Sequence, residues 1–74
     1  MKSSLSKINI GQLVRVASIT QGDLQVKLTE MGLYHGKEVK VLFEAPFGDP
    51  IAVDVDGYVL SLRKSEADLV QIEA

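Results

Sequence analysis

The dipeptide Asp56-Gly57 stands between two runs that alternate apolar and polar residues, Ile51-Ala52-Val53-Asp54-Val55 and Tyr58-Val59-Leu60-Ser61-Leu62-Arg63. Both central positions of a type I′ turn need positive φ, which Asp-Gly supplies, and a two-residue turn sets the register of the strands it joins. The pairing puts Val55 opposite Tyr58, Val53 opposite Leu60 and Ile51 opposite Leu62. These six side chains are expected on one face, toward a core. Asp54, Ser61 and Arg63 are expected to face water.

The same period of two runs through Glu38–Glu44, with Val39, Val41 and Phe43 expected on the buried face. Ala45-Pro46-Phe47-Gly48-Asp49-Pro50 holds two prolines and a glycine in six residues and reads as a turn. Ahead of these lies Gln12–Ile19, rich in β-branched residues, which predicts a first strand after Gly11. Between the strands the period becomes helical. Leu24, Leu28 and Met31 fall at i, i+4 and i+7 and share one helix face. Asp23 is the expected N-cap and Gly32 the left-handed residue that ends the helix, with Leu33 packing back. Lys64–Leu69 predicts one further helical turn with Ser65 as its cap, and Val70-Gln71-Ile72 a last strand. Residues 1–7 are Ser- and Lys-rich and are expected to form a loose arm docked through Leu5 and Ile8.

The expectation is a single mainly β domain over residues 1–74. It would be a small SH3-like barrel of about five strands, with a helix inserted after the first strand and a short helical turn before the last. Closure into a barrel removes most free edges, and any edge left open allows self-association. With no cysteine, neither a disulfide nor a thiolate metal site can hold so short a chain together. Apolar packing must do so, and 46% hydrophobic residues make that feasible.

Eight basic residues against ten acidic ones, spread along the chain, give no basic stripe, which disfavours nucleic acid as a partner. No apolar run approaches the roughly 20 residues of a spanning helix, and the start is too polar for a signal peptide, so direct membrane insertion is not expected and the cytoplasm is. Catalysis needs a nucleophile with a base, or paired carboxylates. The chain has one histidine, His35, and the nearest carboxylate pair, Asp54 and Asp56, belongs to the hairpin; no catalytic residue is assigned and an enzyme is not expected. Glu30 and His35 are the candidates for a weak, open metal site, with no cofactor required. Leu33, Tyr34, His35 and Phe47, carried by two loops, are the candidate partner-binding residues, since loop aromatics often anchor interfaces.

The order of motifs resembles one known family. Gly11 and the strand Leu13–Ile19, then Lys27-Leu28-Thr29-Glu30-Met31-Gly32-Leu33, then Gly36 leading into Val39-Lys40-Val41, is similar to the pattern of FeoA proteins. Pro46–Pro50, Val53–Gly57, Leu60–Arg63 and Glu66-Ala67 resemble the family's closing half, so the likeness covers about residues 5–73. His35 departs from the proline usual before Gly36, and Lys27 from a common arginine. The resemblance implies an SH3-like barrel in the cytoplasm, peripheral at the inner membrane through a protein partner. That partner would be an FeoB-type ferrous iron transporter with a GTP-binding domain, the chain serving as its accessory and iron(II) being linked to it functionally. The barrel is also similar to the C-terminal domain of diphtheria-toxin-repressor-type metalloregulators, which gives the alternative of a weak metal-binding or sensing module. Leu28, Met31, Gly32, Gly36, Asp56 and Gly57 carry the motifs and are expected to be structural.

Overall fold

The computed structural model describes residues 2–73; Met1 and Ala74, the ends of the expected domain, lie outside them. In chain order the elements are β1 (Lys2–Ser4), a 3-10 turn (Leu5–Lys7), β2 (Leu13–Ile19), α1 (Asp23–Glu30), β3 (Glu38–Glu44), a second 3-10 turn (Pro46–Gly48), β4 (Ile51–Val55), β5 (Tyr58–Leu62), α2 (Lys64–Ala67) and β6 (Val70–Glu73). The six strands form one antiparallel sheet in the order β1-β6-β2-β3-β4-β5.

The β4–β5 hairpin has the register its turn dictates, with Val55 opposite Tyr58, Val53 opposite Leu60 and Ile51 opposite Leu62. Asp56 and Gly57 take φ of 53° and 89°, as a type I′ turn demands, and the Asp54 carboxylate accepts the Gly57 N–H at 3.0 Å. Five of the six facing side chains are buried, while Tyr58 stays exposed at the end of the sheet. One core of Val, Leu, Ile and Ala side chains fills the concave side, and no polar residue is buried among those described.

Several sequence expectations are corrected. Residues 2–7 of the expected arm are not loose: residues 2–4 pair with β6, Ser3 opposite Ile72, as a sixth strand, and Leu5 is fully buried. Polar composition hid this strand because an edge strand pairs through its backbone and tolerates serine and lysine. Phe43 is exposed instead of buried. The register between β3 and β4 slips between Val41 and Phe43, so two β3 residues oppose one on β4, and the bulge reverses which face the next residue takes. A second bulge in β2, between Val16 and Ser18, further bends the sheet. The N-cap of α1 is Gly22, at φ 145°, a conformation closed to Asp23, which becomes the first helical residue and places its charge at the positive end of the helix. For α2 the cap is Arg63, not Ser65. Glu66, three residues on, reaches back to accept the Arg63 N–H at 2.8 Å, and Ser65 is left exposed within the turn.

Candidate functional site

The site starts at the end of α1. Met31 is the C-cap and Gly32, at φ 101°, takes the left-handed position after it. The Leu33 N–H donates to the Leu28 carbonyl at 2.8 Å and the Gly32 N–H to the Thr29 carbonyl at 3.1 Å. These are the two bonds of a Schellman ending. The ending turns the chain inward, so Leu33 is 0% exposed and packs in the core with Leu28. Leu33 therefore leaves the set of candidate partner-binding residues: the geometry that ends the helix aims its side chain inward. Leu24 and Met31 pack against the same core, completing the expected stripe.

The chain then returns to the surface. The Lys37 N–H donates to the Tyr34 carbonyl at 3.0 Å and closes a four-residue turn. His35 is second in that turn and Gly36, at φ 89°, is third, where a type II turn wants positive φ. Proline suits the second place, so His35 there makes no backbone contribution that a proline would not. The turn is clamped to β2: Gly36 N–H donates to the Val16 carbonyl at 2.8 Å and Val16 N–H to the Lys37 carbonyl at 2.9 Å. Tyr34 and His35 are thereby held exposed beside β2.

Tyr34 and His35 form a ridge between two open grooves. One, of about 430 Å³, runs from Arg15 past the ridge to Lys37, Glu38 and Asp56. The other, of about 340 Å³, lies between the ridge, Ala17–Ile19 of β2 and the α1 residues Gln25 and Thr29. In the first groove charges of both signs are paired. Arg15 and Glu38 are cross-strand partners with an ion pair at 3.6 Å, both side chains more than half exposed. Such a pair is worth about 0–1 kcal/mol. Lys37 is more enclosed, its side chain 18% exposed; its ammonium pairs with the Asp56 carboxylate and lies 5.8 Å from the centre of the Tyr34 ring. The hydrogen bond to Asp56 raises the Lys37 pKa above the ordinary lysine value.

The grooves can bind through charge and through an aromatic face, but they hold no assembled nucleophile. The two aliphatic hydroxyls of the second groove are donated away from His35, Ser18 to Gln71 at 3.2 Å and Thr29 to the Gln25 carbonyl at 2.7 Å. Glu30 is exposed and lines neither groove, and among the described residues no three His, Asp or Glu side chains are grouped as metal ligands.

Phe47, the fourth candidate partner-binding residue, stands elsewhere. Lys37 and Asp56 lie at the start of β3, whereas Phe47 lies beyond its end. The seven residues of β3 separate the two by about 20 Å, at ~3.3 Å per residue, so the two loops do not make one surface. The sequence reading missed Arg15, Lys37 and Glu38. The signal for Arg15 and Glu38 was the register of β2 on β3, and for Lys37 that of β3 on β4, neither of which a local turn specifies.

Solved structures share this fold, and a curated relative is similar in sequence. An FeoA-like protein from Clostridium acetobutylicum is 38% identical, with a TM-score of 0.90 covering 99% of this chain and 86% of that one. FeoA of Stenotrophomonas maltophilia, solved with zinc and described as an SH3 domain protein, is 28% identical with a TM-score of 0.84 over 95% of this chain and 88% of that one; the fold is thus the expected SH3-like one. A manganese-dependent transcriptional repressor shares the fold alone, at 21% identity and a TM-score of 0.87 over 97% of this chain and 36% of the repressor. An Fe(2+) transport protein A/Fe(2+) transporter FeoB fusion protein of Porphyromonas gingivalis (strain ATCC BAA-308 / W83) is 34% identical over 70 residues, 93% of this chain. The chain spans only 8% of that relative's length. The FeoA domain model matches residues 3–74, nearly all of the sequence, and the chain belongs to the FeoA family.

Proposed function

We propose that this chain is an accessory protein of ferrous iron uptake that acts by binding the cytoplasmic part of an FeoB-type membrane transporter. The observation that carries this reading is the Porphyromonas gingivalis relative, in which a segment similar to nearly the whole of this chain shares one polypeptide with an FeoB transporter. A covalent link supplies two modules with a high effective concentration of each other. Two modules that cooperate without such a link meet through a binding surface. The Tyr34–His35 ridge is a fitting one, with an exposed aromatic, charges of both signs and a backbone tied to β2. No helix among the described residues is long and apolar enough to cross a membrane, so the partner would bring the chain to it. No reaction is assigned to the chain itself.

The test is the affinity of this chain for the purified, detergent-solubilised transporter of the same cell. Saturable binding is expected, and the double substitution Tyr34→Ala with His35→Ala should weaken it by tenfold or more, about 1.4 kcal/mol, at an unchanged melting temperature. Absence of binding by the native chain would end this reading. A second reading, a weak divalent-metal module using Glu30 and His35, draws support from the zinc in the Stenotrophomonas maltophilia structure. Stoichiometric iron(II) uptake by calorimetry, abolished by His35→Ala, would raise it above the first.

A further inference from the structure

The turn Ala45–Gly48 places a phenylalanine where its backbone favours glycine. The Gly48 N–H donates to the Ala45 carbonyl at 2.8 Å, with Pro46 second in the turn and Phe47 third. Phe47 has φ 74° and ψ 8°, the third-position dihedrals of a type II turn, which glycine or asparagine adopts far more readily. A bulky side chain at positive φ is strained. The ring gains nothing in exchange within the fold, because Phe47 is 104% exposed. Backbone preference and hydration both oppose phenylalanine here. Residues that persist against such preferences cluster at ligand clamps and switch regions.

We propose that Phe47 is an anchor that inserts into an apolar socket rimmed by basic groups on the transporter; this rests on the binding reading above. Charge argues for a protein socket over lipid. The Glu44 carboxylate lies beside the tip, within 3.1 Å of where a Cβ on Gly48 would stand. Asp49 follows on the other side, its carboxylate accepting the Lys64 N–H at 3.0 Å. One ring flanked by two carboxylates is a poor membrane anchor, since anionic headgroups repel the acids and stable attachment takes two signals. A socket with lysine or arginine at its rim satisfies the ring and the acids together. The tip is also preorganised: Pro46 restricts its own φ, and the Asp49–Lys64 bond ties the loop to α2, so little order has to be imposed on binding. Because β3 separates Phe47 from Tyr34 and His35, the anchor is a contact independent of the ridge.

The chain has two phenylalanines, Phe43 and Phe47, so fluorophenylalanine labelling yields two fluorine NMR signals, and Phe43→Leu identifies the one from Phe47. The labelled chain is titrated with the detergent-solubilised transporter, with empty micelles, and with transporter-free anionic vesicles. The Phe47 signal should shift or broaden with the transporter alone, and Phe47→Gly should weaken binding at least tenfold while the melting temperature holds or rises. Binding with the Phe47 signal unchanged would overturn the anchor and leave the accessory reading standing. A shift with vesicles would overturn the protein socket in favour of lipid. Absence of any binding would remove both readings.

Discussion

Gly32 and Phe47 both have positive φ, at 101° and 74°, yet the surroundings account for their side chains in opposite ways. At Gly32 everything nearby demands glycine. The left-handed backbone makes the Schellman ending, and an added Cβ would come within 3.2 Å of both the Tyr58 hydroxyl and Val55 Cγ1. At Phe47 the backbone favours glycine as strongly, the space around the residue is open solvent, and a large ring is present all the same. The first position is legible as architecture. The second has no counterpart within the fold, and the proposed anchor would supply one. Conformation alone does not separate a structural residue from a recognition residue; what the side chain touches does.

Substitutions turn this contrast into numbers. A domain of 74 residues has a total stability of about 4–11 kcal/mol at 0.05–0.15 per residue. Gly32→Val should cost about 2–6 kcal/mol, from roughly 1–3 of backbone strain and 1–3 of overpacking against Tyr58 and Val55. Urea unfolding would show it as an unfolded chain or a much lowered midpoint, and an unchanged midpoint would break the contrast at its first term. Leu33→Ala should cost about 2–5 kcal/mol, because Leu33 is fully buried behind that turn. A small loss there would mean that the surrounding side chains collapse into the cavity.

The opposite sign is expected at the other position. Phe47→Gly relieves about 1–2 kcal/mol of left-handed strain and loses about 0.5–1 to the extra freedom of glycine in the unfolded chain. A net gain of about 0–1.5 kcal/mol should remain, read as an equal or higher urea midpoint at the same slope. A loss of stability would show that the ring packs on its own domain in solution, and the contrast with Gly32 would then fail.

The same division explains what could be read before the structure. The β4–β5 register, the helix stripe and the Gly32 ending are set by residues close in sequence, and each followed from a local rule. Apart from the two helix caps, which shifted by one or two residues, what escaped notice depended on distant pairing. The backbone of Ser3 finds Ile72 across almost the whole chain. Phe43 faces outward because a bulge forms against β4. Lys37 meets Asp56 only because β3 and β4 bring two turns to one end of the sheet. The candidate site suffered most, since a groove is a relation among turns. Tyr34 and His35 were legible as exposed loop residues. Leu33 was legible as an inward-packing residue after Gly32, and the structure settles its two readings in favour of that one.

The smallest effect concerns whether the end of the molecule at Gly32 owes stability to charge as well as to packing. Lys37 links the turn after Gly32 to the hairpin at Asp56, and that hydrogen bond raises its pKa in the folded chain. A lysine held more strongly protonated when folded contributes its full share below the unfolded lysine pKa. The share is lost as pH rises through the folded value, because the folded chain then gives up the proton that had favoured it. The urea midpoint of the native chain should therefore exceed that of Lys37→Gln at neutral pH, and the difference should fade as pH is raised beyond the lysine range. Asp56 is well exposed, so the difference should also shrink as salt is added. A gap that persisted undiminished at alkaline pH would assign the role of Lys37 to the packing of its methylene stem instead of its charge, and this end of the barrel would be held by apolar contact alone.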